Sequence, residues 1–150
     1  MKTLALSFLL VLTALLFGCG YAKHIDPPVY VYADAKVAEF SAKAHAKENP
    51  AVLTVHQNVC CGSMRPTIQQ GDWLVVENSK FGDHLLGKCA VYKPAWNNNQ
   101  PVLHRLVSGN AQDGFIASGD NNPKSEASER VTSANYVGEV VAIYRTENIN

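Results

Sequence analysis

The sequence predicts a mainly β protein of sandwich or barrel-like type with one N-terminal helix. Two observations support this fold class. From residue 51 onward, short runs rich in β-branched and aromatic residues alternate with Gly, Pro, Asn and Asp turn signals. Before residue 50, Ala and Lys dominate a single helical stretch. A chain of 150 residues suits one such domain and a leader. We therefore divide it into a leader (1–18), a tether with the helix (19–50) and a catalytic domain (51–150).

The first element is a leader. Lys2 supplies a positive charge, and residues 3–17 form an apolar stretch shorter than the roughly 20 residues that span a membrane. The stretch ends in Leu16-Phe17-Gly18-Cys19, which resembles a bacterial lipobox. This predicts a signal peptide whose Cys19 receives lipid, on the extracytoplasmic face of a bacterial membrane, inner or outer. An uncleaved anchor and an ordinary secretory leader are the alternatives.

The tether and the helix come next. Residues 21–28 are polar and include Pro27-Pro28, which is typical of a tether. Asp34 can cap a helix that Asn49-Pro50 ends. Val37, Phe40 and Ala44 form one stripe of that helix.

The strands follow a common pattern of three to eight mostly apolar or β-branched residues between turns. A short one is also expected before the helix, at 29–32. The others are expected at 52–55, 73–77, 89–92, 102–107, 115–117 and 137–144.

Composition excludes several classes of function. The 13 basic and 13 acidic residues balance, and no basic run suggests a nucleic-acid partner. The histidines are scattered and no CxxC motif occurs, so we expect neither a metal nor a cofactor. With Cys19 lipidated, Cys60, Cys61 and Cys89 remain in a compartment where disulfides persist. Either Cys60 or Cys61 pairs with Cys89, or these are buried free thiols.

Three stretches carry residues suited to catalysis. Ser63 lies on a predicted turn in Gly-Ser-Met-Arg-Pro-Thr, where a hydroxyl and backbone N–H groups are both exposed. His104 lies in a predicted strand with Arg105 on the opposite face, and a neutral imidazole is a natural base for serine. Asp120, in Gly-Asp-Asn-Asn, can orient that imidazole. Each alone is a weak signal, because a solvated Ser, a core His and an Asx turn are common.

Together these stretches resemble the type I signal peptidase family. The match extends from about residue 59 to residue 144 and includes Gly71-Asp72 and the segment 135–140. The His-Arg pair is similar to the endoplasmic-reticulum-like branch, whereas the common bacterial branch has Lys-Arg. The resemblance implies an antiparallel coiled fold of two β-sheets. It also implies Ser63 as nucleophile, His104 as base and Asp120 as the acid of the Gly-Asp-Asn box.

The same resemblance has departures. Glu126 stands where the branch usually has a second Asp, which makes it a candidate supporting acid. Cys61 replaces a Ser or Thr that assists the oxyanion in relatives, and a thiol is a weaker donor. A lipid anchor would also replace the usual membrane-spanning segment.

These observations predict a serine endopeptidase that cleaves signal-peptide-like segments of exported precursors through an acyl-enzyme. The alternative is a catalytically lapsed lipoprotein of the same fold that acts in binding or assembly. A self-cleaving repressor-like peptidase is disfavoured, since it would use a Ser-Lys pair and carry a DNA-binding domain.

Overall fold

The computed structural model describes residues 22–51, 53–58, 62–122 and 130–147, which form a mainly β fold with one α-helix. The helix is α1 (Ala35–Glu48), and short 3₁₀ turns occur at Asp83–Leu85 and Ala95–Asn97. The strands are β1 (Val29–Tyr32), β2 (Leu53–Gln57), β3 (Trp73–Glu77), β4 (Cys89–Tyr92), β5 (Val102–Asn110), β6 (Gly114–Ser118), β7 (Arg130–Val131) and β8 (Tyr136–Thr146).

All of these strands belong to one curled, half-barrel sheet, whereas the sequence predicted two sheets. The order is β2-β3-β8-β4-β5-β6-β7, with neighbours antiparallel, and β1 adds to β8 in parallel. One edge of β8 pairs with β3, and its other edge is shared between β4 and β1. The sheet therefore branches at β8.

The core consists of apolar clusters on the two sides of the β4–β5 pair and beneath the helix. The first, which we call the inner cluster, comprises Met64, Ile68, Leu74, Val76, Cys89, Val140 and Ile143. The second, the outer cluster, comprises Leu85, Ala90, Tyr92, Leu106, Phe115, Ala117 and Val131.

Helix α1 begins where the sequence predicted, but it buries a different face. The Asp34 carboxylate accepts hydrogen bonds from the backbone N–H groups of Lys36 and Val37, as expected of an N-cap. Ala38 and Ala42 are fully buried, whereas Phe40 of the predicted apolar stripe is 72% exposed. The small alanines allow the helix backbone to approach the sheet closely, so the stripe of larger residues faces outward.

Residues 22–28 are hydrogen-bonded to the sheet rather than forming a free tether. The Ala22 N–H donates to the Val107 carbonyl at 2.8 Å, and the Ile25 N–H donates to the Gly87 carbonyl at 3.0 Å. Gly87 has φ +88°, and a Cβ there would lie 2.3 Å from the Lys23 carbonyl oxygen, so only glycine permits this approach. The segment is thus an integral part of the domain.

Candidate active site

Ser63, the predicted nucleophile, lies on a compact turn at residues 62–68, which we call the nucleophile turn. The Arg65 N–H donates to the Gly62 carbonyl at 3.1 Å, and the Ile68 N–H donates to the Met64 carbonyl at 2.9 Å. The Met64 and Ile68 side chains are buried in the inner cluster. Ser63 itself is only half-buried. The turn therefore holds the serine at the surface while its neighbours fix the backbone.

A second loop packs directly on this turn. The Asn121 N–H donates to the Ser63 carbonyl at 2.7 Å, and its side-chain Nδ2 donates to the Gly62 carbonyl at 3.1 Å. A Cβ built on Gly119 would lie 2.6 Å from the Ser63 carbonyl oxygen. A side chain at residue 119 would therefore displace the nucleophile turn.

Strand register brings His104 to the same place. In β5 and β6, Arg105 pairs with Ser118, so His104 and Gly119 are the next residues toward the loop. The Ser63 turn packs on Gly119, so it lies at the same end of the β5–β6 pair as His104.

The His104 ring lies beside a tyrosine. Its Nδ1 is 3.3 Å from the hydroxyl oxygen of Tyr92, and the ring centroids are 6.3 Å apart. His104 is half-buried, whereas Tyr92 is buried in the outer cluster. A buried phenol therefore contacts one of the two ring nitrogens.

Arg105 points to the opposite face, as the sequence predicted. Its guanidinium binds Asp120 with two bonds, Nε to Oδ1 at 2.7 Å and Nη2 to Oδ2 at 2.7 Å. The Thr67 hydroxyl donates to the same carboxylate at 2.6 Å. This pairing ties the Asp120 loop to the end of the nucleophile turn.

The N-terminal segment completes the binding of Arg105. Its Nη1 donates to the carbonyls of Gly87 at 2.8 Å and Ile25 at 3.2 Å, and Nη2 binds the Asp26 carboxylate at 2.7 Å. The Arg105 side chain is fully buried. These partners compensate the cost of burying the arginine charge.

Burial and charge act in opposite directions on the pKa of Asp120. Burial alone would raise it, but hydrogen bonds from Arg105 and Thr67 and the arginine charge lower the pKa below its ordinary value. Burial also acts to lower the pKa of Arg105, and the bonds with Asp120 outweigh it and raise the pKa. The pair is therefore an ion pair at any ordinary pH.

These contacts concern Asp120, the acid predicted to orient His104. The hydrogen bonds to the Asp120 carboxylate come from Arg105 and Thr67. Asp120 thus connects the two loops, and a direct role in orienting His104 stays a prediction. Glu126, the candidate supporting acid, lies outside the described residues, as does the lipidation candidate Cys19.

Cys89 is a free thiol, buried in the inner cluster. Burial raises its pKa to about 12, against the opposing charge of Arg105. The other members of the predicted disulfide, Cys60 and Cys61, lie outside the described residues. The free thiol corresponds to the alternative that the sequence left open.

Sequence reasoning missed Tyr92 and Thr67. Tyr92 becomes visible only with the β4–β5 register, which pairs Ala90 with His104 and places Tyr92 diagonally across on the same face. Thr67 belongs to the Gly-Ser-Met-Arg-Pro-Thr motif, but the motif does not indicate that Thr67 binds Asp120.

Comparison of the chain with protein families, curated proteins and solved structures finds no match. Within the described ranges, no helix is long and apolar enough to cross a membrane. The same residues contain no group of His, Cys, Asp and Glu side chains suited to a metal ion.

Proposed function

We propose that this protein is a serine endopeptidase of the type I signal peptidase kind, with Ser63 as nucleophile and His104 as base. The observation that supports this most strongly is the meeting of separate motifs at Gly119. The turn that carries Ser63 packs on that glycine, and His104 precedes Arg105, whose cross-strand partner Ser118 directly precedes the glycine. Residues far apart in the sequence thus lie at one end of the β5–β6 pair, which supports a shared role in acyl transfer.

The proposed reaction proceeds in two halves. In the first, His104 takes the Ser63 proton while Oγ attacks the scissile carbonyl carbon, and the protonated imidazole then gives that proton to the leaving amine. An acyl-enzyme ester on Ser63 results. In the second, His104 takes a proton from water, the hydroxide attacks the ester, and the proton returns to Ser63. No cofactor enters this cycle.

Asp120 has a positioning role in this proposal. Its carboxylate holds Arg105 on one side and Thr67 on the other, so the Gly119–Asn121 loop and the nucleophile turn move as one unit. Catalysis by a serine requires the nucleophile and the base to keep their separation within a fraction of an ångström. The buried ion pair supplies that rigidity from the opposite face of β5.

The finer fold and the substrate belong to the same proposal. A curled β sheet and the order of the motifs agree with a signal-peptidase-like fold. The leader and Cys19 suggest a lipid-anchored enzyme on the extracytoplasmic side of a bacterial membrane. Its substrates would be exported precursors, cut after small residues near that membrane.

Turnover of a signal-peptide-like substrate in detergent tests this function. Ser63→Ala and His104→Ala should each lower kcat/KM by at least about 1000-fold, as removal of a member of a catalytic pair does. The double variant should be little worse than either single one. Ser133→Ala and His84→Ala change exposed residues and serve as matched controls that keep full activity.

Two results would contradict the proposal. The first is a well-folded His104→Ala protein that keeps its activity. The second is a folded wild-type protein that binds such substrates and never cleaves them, which would favour the catalytically lapsed binding factor.

A further inference from the structure

The second ring nitrogen of the proposed base is held by a tyrosine. We propose that the Tyr92 hydroxyl is a positioning group that accepts the Nδ1–H of His104 and so puts the lone pair of the neutral imidazole on Nε2, the proposed base. This inference rests on the proposed function and adds a residue to it. It starts from the 3.3 Å distance between the Tyr92 hydroxyl oxygen and His104 Nδ1.

The fold fixes the tyrosine more firmly than the histidine. Tyr92 is 3% exposed and packs in the outer cluster, so its ring cannot rotate away without opening the core. It lies two residues beyond Ala90, the cross-strand partner of His104, on the same face of adjacent strands. The phenol oxygen is therefore a stationary reference point beside a half-buried imidazole.

The chemistry of imidazole sets the direction of the bond. A neutral histidine carries one N–H and one lone pair on its two nitrogens, so the bond made by one nitrogen decides what the other can do. If Nδ1–H donates to Tyr92, Nε2 holds the lone pair that Ser63 needs. The reverse polarity would place the proton on Nε2, and the base could not accept another proton there.

The Tyr92 hydroxyl would perform part of the role predicted for Asp120, which is to orient the His104 imidazole. That carboxylate is bound by Arg105 and Thr67 on the other face of β5. A phenol oxygen is uncharged, so it orients the ring but stabilises the imidazolium less than a carboxylate would. We therefore expect a moderate effect on rate, of about tenfold.

Long-range ¹H–¹⁵N spectra of the ¹⁵N-histidine-labelled full-length protein in detergent report the tautomer directly. At a pH where His104 is neutral, the wild-type protein should show it mainly as Nδ1–H. Tyr92→Phe keeps the ring and removes the hydroxyl, so the Nε2–H form, which free histidine favours, should become dominant. The same variant should lower kcat about tenfold with KM changed less than about twofold.

Tyr136→Phe is the matched control. It removes another tyrosine hydroxyl, which bonds to Ser79 at 2.8 Å, next to the same cluster. It should leave the His104 tautomer and kcat unchanged, which separates loss of the specific contact from general loosening of the core.

Three outcomes would overturn the inference. These are an Nε2–H tautomer in the wild-type protein, an unchanged tautomer in Tyr92→Phe, and a tautomer that responds to Glu126→Gln but not to Tyr92→Phe. The spectroscopic measurement needs no turnover. A protein that shows the expected tautomers yet cleaves nothing would support the Tyr92 contact and contradict the proposed function, so the two failures are distinguishable.

Discussion

The two faces of strand β5 place adjacent residues in opposite situations. Arg105 is fully buried and binds two carboxylates, two backbone carbonyls and a hydroxyl. His104, one residue earlier, is half-buried beside Tyr92. The comparison indicates that Arg105 fixes the loops, whereas His104 lies on the face of β5 where we propose that the reaction takes place.

The largest difference between the two faces should appear when Arg105 and His104 are each replaced by leucine and the free energy of unfolding is compared. Arg105→Leu leaves the buried Asp120 carboxylate without its counter-ion, and loss of one partner of a buried pair costs about 3–5 kcal/mol of unfolding free energy. His104→Leu should change that free energy by less than about 1 kcal/mol, since a half-buried side chain is replaced by an apolar one. Urea denaturation of both variants measures the difference.

A second prediction concerns Asp120 and the direction of its pH dependence. Asp120→Asn loses the charge-assisted bonds to Arg105, worth about 1.5–3 kcal/mol of unfolding free energy at neutral pH. The folded state lowers the pKa of Asp120, so this contribution is complete above the ordinary carboxyl pKa. It should fade as pH falls below about 4.

Urea titrations of the wild-type protein and Asp120→Asn at pH 7 and at successively lower pH follow that difference. A gap that grows with acidity would mean that the carboxyl group is stabilised in its protonated form. The ion pair with Arg105 would then not describe the site.

A smaller effect is expected at Asp26, the exposed partner of the same arginine. Its side chain is 60% exposed, so solvent screens the pair and Asp26→Asn should cost less than about 1 kcal/mol. Equal losses from Asp26→Asn and Asp120→Asn in the same denaturation series would show that burial does not distinguish the two carboxylates.

The Cys89 thiol, on the same face of the sheet as Arg105, should react very slowly with alkylating agents in the folded protein. Burial raises the pKa of its thiol to about 12, so almost no thiolate exists at pH 8. Iodoacetamide should therefore leave the Cys89 peptide unmodified in the folded protein and label it after denaturation without reductant. Mass spectrometry of the peptides reports both states. Labelling that requires a reductant would instead reveal the predicted disulfide with Cys60 or Cys61.

How far the sequence predicts the fold depends on the range of each signal. The strands at Trp73–Glu77 and Cys89–Tyr92 have the bounds that the sequence predicted, and Asp34 caps α1 as expected. These features depend on local patterns. The two-residue strand β7 was missed because Arg130-Val131 is too short to show a period.

The sequence does not decide where tertiary packing selects between equal local choices. The sequence contains a stripe of large residues and a stripe of alanines on α1, and only the close approach to the sheet selects Ala38 and Ala42. Likewise, His104 and Arg105 are adjacent in the sequence, so the motif does not decide which of them binds Asp120. The strand register and the position of Thr67 place the Asp120 carboxylate against Arg105. No pattern along the chain predicts this pairing.

The central claim is that His104, on the face of β5 opposite Arg105, activates Ser63. The full-length protein is mixed in detergent with an active ester of a signal-peptide-like sequence that ends in alanine, then quenched in acid, and its mass is measured. One acyl group should appear on the peptide that contains Ser63. Ser63→Ala should show none, His104→Ala should react at least about 1000-fold more slowly, and Ser133→Ala should match the wild-type protein. A wild-type acylation rate in folded His104→Ala, or an acyl group on another residue, would contradict the claim.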